Sequence, residues 1–253
     1  MSKNIYSIVI DEEKILATQA QLQPFLAAVD ALKNSEMNAE AELAKWIELR
    51  MGRYTNRLAD EFKVRKEKDR KEVFDSVIQD IISYSNSLLT KESVTWQDLS
   101  VLHTKLYPKG LWGQARNSKW NTMLAKFPTG EFREKEEFVK TSAWDFYFLP
   151  YKDIPDALTK INAFFYGTPD THFLIQLILR LSYISHVHPY CNGNGTVLYF
   201  YMAILLLKND YPIPFSVDEY FTNPNIGRDL ALCNGGIDYT PLFRSFLESF
   251  LVK

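Results

Sequence analysis

The sequence predicts an all-α fold that carries one short β-hairpin, and three observations lead to this prediction. Apolar residues recur at spacings of three and four along most of the chain, which is the pattern of amphipathic helices. Two segments, 170–187 and 195–207, are apolar over broad faces, as expected of helices in a core. Segment 138–151 is instead β-branched and aromatic, which is typical of a hairpin or an extended flap.

The chain is predicted to divide into an N-terminal helical region, residues 1–92, and a second domain, residues 93–253. The N-terminal region begins with an amphipathic pattern over 11–35, which Pro24 should kink or split because proline lacks the N–H of a helix interior. A stretch without proline follows over 39–89 and is apolar near both ends. It predicts either one long helix or two helices.

The middle of that stretch reads FKVRKEKDRKE over residues 62–72. Acidic residues interleave with the basic ones, so the run does not form a nucleic-acid patch. We interpret it as a solvated helix face or as a turn between two helices.

The second domain contains a further series of helix signals. Thr95 and Asp98 form a capping-box pattern that predicts the start of a helix, and Pro108 predicts its end. Residues 108–135 are predicted to be irregular. Further helices are predicted over 154–165, 170–187 and 195–207, around Asp218 and Asp229, and over 241–251.

Composition limits the classes of function. A chain of 253 residues that is 46% hydrophobic can bury a sizeable core, as one large domain or as a domain with an added layer. A net charge of -2 gives no general attraction for DNA, RNA or a membrane surface, so any phosphate site must be local. Two cysteines favour a reducing compartment, and no signal peptide or membrane span is recognisable. We therefore expect a cytoplasmic protein, with specialised secretion into a host left open.

The segment HPYCNGNGTVLYFYMA, residues 188–203, predicts the functional site. A polar turn with two glycines joins two apolar helices, and the first amides of the second helix have no partners within that helix. Such amides, together with flexible glycine backbone, form a nest for an anion, and phosphate is the expected occupant. His188 is the side chain beside this nest that can act as a base near neutral pH. The pattern therefore indicates transfer of a phosphate-linked group to a hydroxyl.

This segment resembles the signature of Fic-domain proteins, His-Pro-Phe-x-Asp/Glu-Gly-Asn-Gly-Arg-x-x-Arg. Residues 188–199 read HPYCNGNGTVLY, and residues 130–133 read GEFR, similar to the Gly-x-Tyr/Phe-Arg element that precedes the family's flap. The likeness extends from about residue 93 to residue 251. It implies a Fic-type helical core with a hairpin flap, preceded here by the N-terminal helices.

The resemblance also implies roles for individual residues. His188 is the catalytic base that deprotonates a Ser, Thr or Tyr hydroxyl of a protein substrate, and ATP is the family's usual donor of an AMP group. The donor's phosphates are expected at the turn and the first helical positions, and the flap is expected to hold the target peptide by strand addition. The phosphate-binding residues are Gly193, Asn194, Gly195, Thr196 and Tyr199, and the flap residues are Val139, Thr141, Trp144 and Phe146.

Three positions depart from the family pattern, and all three concern charge. Asn192 stands where the family has a Mg²⁺-binding carboxylate, so we expect Mg²⁺ to be held weakly. Thr196 and Tyr199 stand where the family has two arginines that contact the donor's outer phosphates. These departures disfavour ordinary AMP transfer from ATP, so the expected donor is either ATP or another nucleotide or phosphate-containing metabolite.

Three hypotheses remain from the sequence, and the third of them is a helical protein whose Gly-Asn-Gly turn is only structural. The first is a divergent Fic-type nucleotidyltransferase that modifies proteins with AMP or another phosphate-linked group. The second is a catalytically inactive Fic fold that binds nucleotide or protein. The chain also lacks any Ser/Thr followed four residues later by Glu, the start of an inhibitory motif in many Fic proteins, so we expect no regulation of that kind.

Overall fold

The structure is a computed structural model that describes residues 8–61, 67–107, 129–135, 138–140, 145–167, 170–191, 193–214 and 226–251. The predicted roles of Thr141, Trp144 and Asn192, and the helix predicted around Asp218, lie outside these residues. The prediction of a mainly helical fold is confirmed, since helices dominate the described part of the chain.

The described elements follow one another along the chain as a long series of helices interrupted by two short strands. They are α1 (Glu12–Gln21), α2 (Gln23–Asp30), α3 (Ala39–Glu61), α4 (Glu67–Leu89), α5 (Trp96–Leu106), β1 (Phe138–Lys140), β2 (Asp145–Tyr147), α6 (Ile154–Gly167), α7 (Phe173–Val187), α8 (Asn194–Leu207), α9 (Ile226–Asn234) and α10 (Thr240–Leu251). No helix in the described part of the chain is both long enough and apolar enough to cross a membrane.

The chain forms two compact units, each built from separate segments. The first unit comprises Met1–Asn34, Phe132–Pro189 and Tyr211–Lys253, and the second comprises Ser35–Glu131 and Tyr190–Asp210. These compact units combine segments that are distant in the sequence, so they do not test the predicted division of the chain after residue 92. That division stays a prediction.

Helix α7 is the centre of the first unit. It packs against α6, α9 and α10, and eleven of its fifteen residues are buried. α10 also packs on α2. The predicted interruption of the first amphipathic segment is confirmed, because α1 ends at Gln21 and Pro24 lies in the first turn of α2, where a missing N–H costs little.

Helix α8 is the corresponding centre of the second unit. It packs against α3, α4 and α5, and twelve of its fourteen residues are buried, which explains why it is apolar on all sides. α5 begins at the predicted cap, where the Asp98 carboxylate accepts a hydrogen bond from the Thr95 backbone N–H at 2.9 Å. The Lys91 ammonium pairs with the same carboxylate at 2.5 Å.

Two short strands fall within the segment 138–151. β1 and β2 pair antiparallel, with Val139 opposite Phe146 and Lys140 opposite Asp145. This register places two of the predicted flap residues directly across from each other. Their role in holding a target peptide stays a prediction.

Candidate functional site

His188 directly follows the last turn of α7. It adopts a left-handed backbone conformation, with φ 48° and ψ 62°, and its N–H donates to the Ile184 carbonyl at 3.0 Å. This conformation is uncommon for a residue with a side chain, so the surroundings must hold it in place. The imidazole stacks on the Phe148 ring, with 3.8 Å between the ring centroids and 18° between the planes.

Arg133 provides much of that support. Its side chain is 1% exposed, and its guanidinium donates to the carbonyl oxygens of His188 at 2.8 Å, Lys135 at 2.7 Å and Val187 at 3.2 Å, and also to that of Leu149. The Arg133 backbone N–H donates to the carbonyl of Pro189 at 2.8 Å. A cation at this position also stabilises the negative carboxyl end of the α7 dipole. Arg133 therefore fixes the backbone on both sides of the His188 side chain.

The same surroundings set the charge of His188. Burial, and after it the positive charge of Arg133, lowers the pKa of His188 to about 4. At neutral pH the imidazole is therefore uncharged and keeps a lone pair that can accept a proton. Its side chain is partly exposed, so a ligand can reach it.

The turn that follows His188 is closed by Asn194. The Asn194 side-chain oxygen accepts from the Tyr190 N–H at 2.9 Å, and its side-chain NH₂ donates to the Tyr190 carbonyl at 2.6 Å. Tyr190 is itself anchored, because its ring stacks on His103 at 4.1 Å and its hydroxyl lies 3.1 Å from that of Ser100. Asn194 is 5% exposed, so its side chain serves the turn, and only its backbone N–H is available for the predicted phosphate contact.

The two glycines of the turn have different roles. Gly193 is the N-cap of α8 at φ 76°, and a Cβ there would lie 2.4 Å from a carbon of the Tyr107 ring. Only glycine fits both constraints. Gly195 is exposed, and apart from its chain neighbours and the nearby helix backbone, no atom of the described residues lies within 4 Å of the position of its missing Cβ. The amino end of α8 is therefore open at Gly195.

Thr196 and Tyr199 occupy the next two predicted positions on α8. Thr196 is partly exposed, whereas Tyr199 is 8% exposed and its ring contacts the guanidinium of Arg50, 3.8 Å from the ring centroid. Sequence reasoning missed Arg50, which comes from α3. No local pattern in the sequence could have linked it to Tyr199.

The GEFR element contributes to both units. Gly130, at φ 76°, donates its N–H to Nδ1 of His103 at 2.8 Å, and a Cβ there would lie 2.3 Å from the Thr104 hydroxyl oxygen. Gly130 thus packs against α5 in the second unit, and Arg133 holds the end of α7 in the first. The element has a structural role at both ends.

The predicted site residues belong to two parts of the chain. His188 belongs to the first unit, and residues 193–199 belong to the second. The described residues contain no group of three His, Cys, Asp or Glu side chains that could hold a metal ion. The weak Mg²⁺ site at Asn192 stays a prediction.

Comparison with known proteins supports the sequence resemblance. The model of the Fic/DOC family matches residues 95–206, a range that contains His188 and most of α8. No curated protein matches the chain in sequence.

Solved structures of Fic proteins have a similar fold. One is a Fic family protein from Desulfovibrio desulfuricans, with a TM-score of 0.53, 12% identity, and an alignment that covers 96% of this chain and 74% of that one. A second is a variant of IbpAFic2 in complex with adenylylated Cdc42. It has a TM-score of 0.55 and 13% identity, and the alignment covers 97% of this chain and 72% of that one. A third is Fic-1 from C. elegans, with a TM-score of 0.50, 15% identity, and an alignment that covers 93% of this chain and 69% of that one. At these identities the likeness establishes a Fic-type fold, and residues 95–206 of this chain match the Fic/DOC family model.

Proposed function

We propose that the protein transfers a phosphate-linked group, either AMP or another nucleotide or phosphate moiety, to a hydroxyl of a protein substrate. The observation that supports this proposal most directly is the neutral imidazole of His188, whose backbone carbonyl accepts a hydrogen bond from Arg133. In the sequence, the amino end of α8 follows soon after His188. The Fic/DOC match over this part of the chain supports the same chemistry.

The donor's phosphate binds at the amino end of α8 in this proposal. The first helical N–H groups lack intrahelical acceptors, and the helix dipole favours negative charge there. The N–H of Val197 donates to the Gly193 carbonyl at 3.0 Å, as expected for the first full turn of a helix. The N–H groups before it are the ones proposed to hold phosphate oxygens, and the open space at Gly195 admits them.

His188 acts as the general base in the proposed reaction. A Ser, Thr or Tyr hydroxyl oxygen of the substrate attacks phosphorus, and its proton passes to the imidazole as the new oxygen–phosphorus bond forms. The bond from phosphorus to the leaving group breaks, and the leaving phosphate takes the electron pair. The negative charge of a bound donor favours the imidazolium, so donor binding raises the pKa of His188 towards the working pH.

The substrate is a protein in this proposal. A variant of IbpAFic2, a protein of similar fold, was solved in complex with an adenylylated protein, Cdc42, and this complex supports a protein as the substrate. The paired strands β1 and β2 are the proposed holder of the target segment, through addition of a further strand.

A transfer screen tests the proposal. Purified protein is incubated with a panel of labelled nucleotides and nucleotide conjugates, with and without Mg²⁺, and with candidate protein substrates, and transferred label is measured by mass spectrometry. We expect label on a protein hydroxyl, and we expect His188→Ala to abolish it. Cys191→Ser is the matched control, because Cys191 is exposed in the same turn and the proposal gives it no chemical role.

A specific observation favours a second candidate, a binding module without transferase activity. The pKa of His188 near 4 makes it a weak base in the free protein, and neither Thr196 nor Tyr199 carries charge. If nucleotides stabilise the protein in thermal-shift assays but no donor gives His188-dependent transfer, the protein is a nucleotide-binding module and the transferase proposal is wrong. If no donor or nucleotide shifts the melting temperature, both functions fail.

A further inference from the structure

A pocket of about 330 Å³ lies within the first unit, lined by the segment that precedes α1 and by one face of α6. Four of its lining side chains are aliphatic, those of Ile8, Ile10, Leu149 and Ile161. Leu149 and Ile161 are buried, whereas solvent reaches Ile8 and Ile10. Small molecules typically bind in concave, mostly apolar sites of about this size. The size and the lining therefore fit a small ligand with an apolar body.

Both sides of the pocket are held by hydrogen bonds of the backbone. Between the two isoleucines that precede α1, the Val9 N–H donates to the Asn234 carbonyl at 2.9 Å, and the Val9 carbonyl accepts from the Tyr239 hydroxyl at 3.2 Å. On the other side, the Leu149 N–H donates to the His186 carbonyl at 3.2 Å. The pocket is therefore formed before a ligand arrives, and binding orders little of the chain.

Three charged side chains also line the pocket, at spacings of three and four residues from the start of α6. They are Asp153, Asp156 and Lys160, and all three are exposed. Asp156 and Lys160 have the spacing that usually allows an ion pair within a helix. Within the described part of the chain, however, none of these three side chains makes an ion pair or a hydrogen bond. The two carboxylates and the ammonium are therefore available to a ligand.

The charges give the pocket a negative end and a positive end. The aspartates lie at the start of α6, where the helix dipole favours carboxylates, and Lys160 lies one turn after Asp156. Four residues at a rise of 1.5 Å each separate the two ends by about 6 Å along the helix. An α-amino acid carries an ammonium and a carboxylate on the same carbon, so it can pair with both ends while its side chain contacts the aliphatic residues. A ligand with a single charge would pair with only one end.

We propose that this pocket binds a free α-amino acid with an aliphatic side chain. The Asp153 and Asp156 carboxylates bind its ammonium, Lys160 binds its carboxylate, and its side chain packs on Leu149 and Ile161. The inference goes beyond the proposed function and does not depend on it, because the pocket shares no lining residue with the turn 188–199.

Titration of the full chain with leucine, followed through the isoleucine methyl signals in NMR spectra, tests the inference. Three of the lining residues are isoleucines, so the methyl signals report directly on the pocket. We expect saturable shifts of the methyl signals of Ile8, Ile10 and Ile161. The methyl signals of Ile47, which is buried in the second unit, should not move.

Three analogues of leucine each remove one part of the proposed recognition. Leucinamide lacks the carboxylate, N-acetyl-leucine lacks the ammonium, and glycine lacks the apolar side chain. Each should bind about fivefold or more weakly than leucine, because one class of contact is lost. The first two analogues also represent the amino and carboxyl termini of a polypeptide, which carry only one of the two charges.

Variants of α6 test the same contacts from the protein side. Lys160→Met and Asp156→Asn should each weaken leucine binding about fivefold or more. Ala157→Leu adds a larger side chain to the lining and keeps a good helix former, so it should abolish the saturable shifts. Lys152→Met is the matched control, because Lys152 is an exposed lysine next to Asp153 but is not part of the lining, and it should bind leucine as wild type does. Melting temperatures without ligand report whether each variant is folded.

The contrary outcomes are distinct. If leucine shifts none of the three lining isoleucines, or if folded Ala157→Leu or Lys160→Met binds leucine as tightly as wild type does, the inference is wrong. If leucinamide or N-acetyl-leucine binds as tightly as leucine, the pocket recognises a single charge, as at a polypeptide terminus, and the assignment of a free amino acid is wrong. Either result leaves the proposed transfer reaction as it was, since His188 takes no part in this site.

Discussion

Replacement of Arg133 by methionine gives the most direct test of how His188 is held. The substitution keeps a buried unbranched side chain but removes the donors to four carbonyl oxygens. Lys135 is exposed, and water can replace the donor to its carbonyl, whereas Val187 and Leu149 are buried. Two unsatisfied buried acceptors at ~1–3 kcal/mol each would cost ~2–6 kcal/mol. Release of the guanidinium's own desolvation cost offsets part of this loss, so we expect the free energy of unfolding to fall by about 2–4 kcal/mol.

Urea denaturation followed by circular dichroism measures this loss. Domains of this kind are stable by about 5–15 kcal/mol in total, so the expected shift of the midpoint is large. Arg244→Met is the control, because its side chain is 58% exposed and its ion pair with Glu248 lies at the surface, where such pairs contribute about 0–1 kcal/mol. The loss of unfolding free energy for Arg133→Lys should lie between those of Arg133→Met and Arg244→Met, since lysine keeps the charge but lacks the planar set of guanidinium donors.

A second measurement separates support of His188 from general stability. The charge of Arg133 contributes to the low pKa of His188, after burial, so Arg133→Met should raise that pKa as measured by NMR titration of the imidazole. Arg133→Lys should leave it nearly unchanged. A folded Arg133→Met protein that loses less than about 1 kcal/mol and keeps the pKa of His188 would refute the reasoning about the four carbonyls.

Three further predictions concern the turn and the histidines. Gly193→Ala should destabilise the fold by about 2–4 kcal/mol in urea denaturation, because the left-handed backbone and the Tyr107 ring both oppose a Cβ; a loss below about 0.5 kcal/mol would contradict this. Gly195→Ala should leave the melting temperature unchanged or raise it, since its Cβ meets open space in a helix, yet it should weaken pyrophosphate binding in calorimetry; unchanged binding would place the phosphate elsewhere. NMR titration should show that His186 and His188 protonate near pH 4, because burial lowers the pKa of both imidazoles. The unfolded chain then binds more protons than the folded one below about pH 6.5, so the free energy of unfolding should decline as the pH falls from about 6.5 towards 4. Titration midpoints near 6.5 would show that neither ring is buried.

Local sequence signals predicted the helices well, because each depends on residues that are close in the chain. Pro24 separates α1 from α2, and the Thr95–Asp98 pair starts α5, as the sequence indicated. These features need only the geometry of one helix turn and a missing or added hydrogen-bond donor. The first amides of α8 were predicted on the same local grounds.

The side-chain environment of the site could not be predicted in this way. Tyr199 was expected to face phosphate, yet it is buried beneath Arg50 of a distant helix. Phe148 was part of the predicted hairpin segment, yet it stacks on His188. Such contacts depend on how helices pack across long sequence separations, and neither periodicity nor capping patterns carry that information.

The closed ring between Asn194 and Tyr190 has a consequence for how fast and how tightly a ligand binds. Two hydrogen bonds made by one buried side-chain amide already fix the Tyr190 backbone against the start of α8 before any ligand arrives. Association therefore orders little of the chain, and almost none of the interaction energy is lost to conformational entropy. We infer a preorganised receptor whose on-rate is governed by diffusion and charge rather than by loop closure.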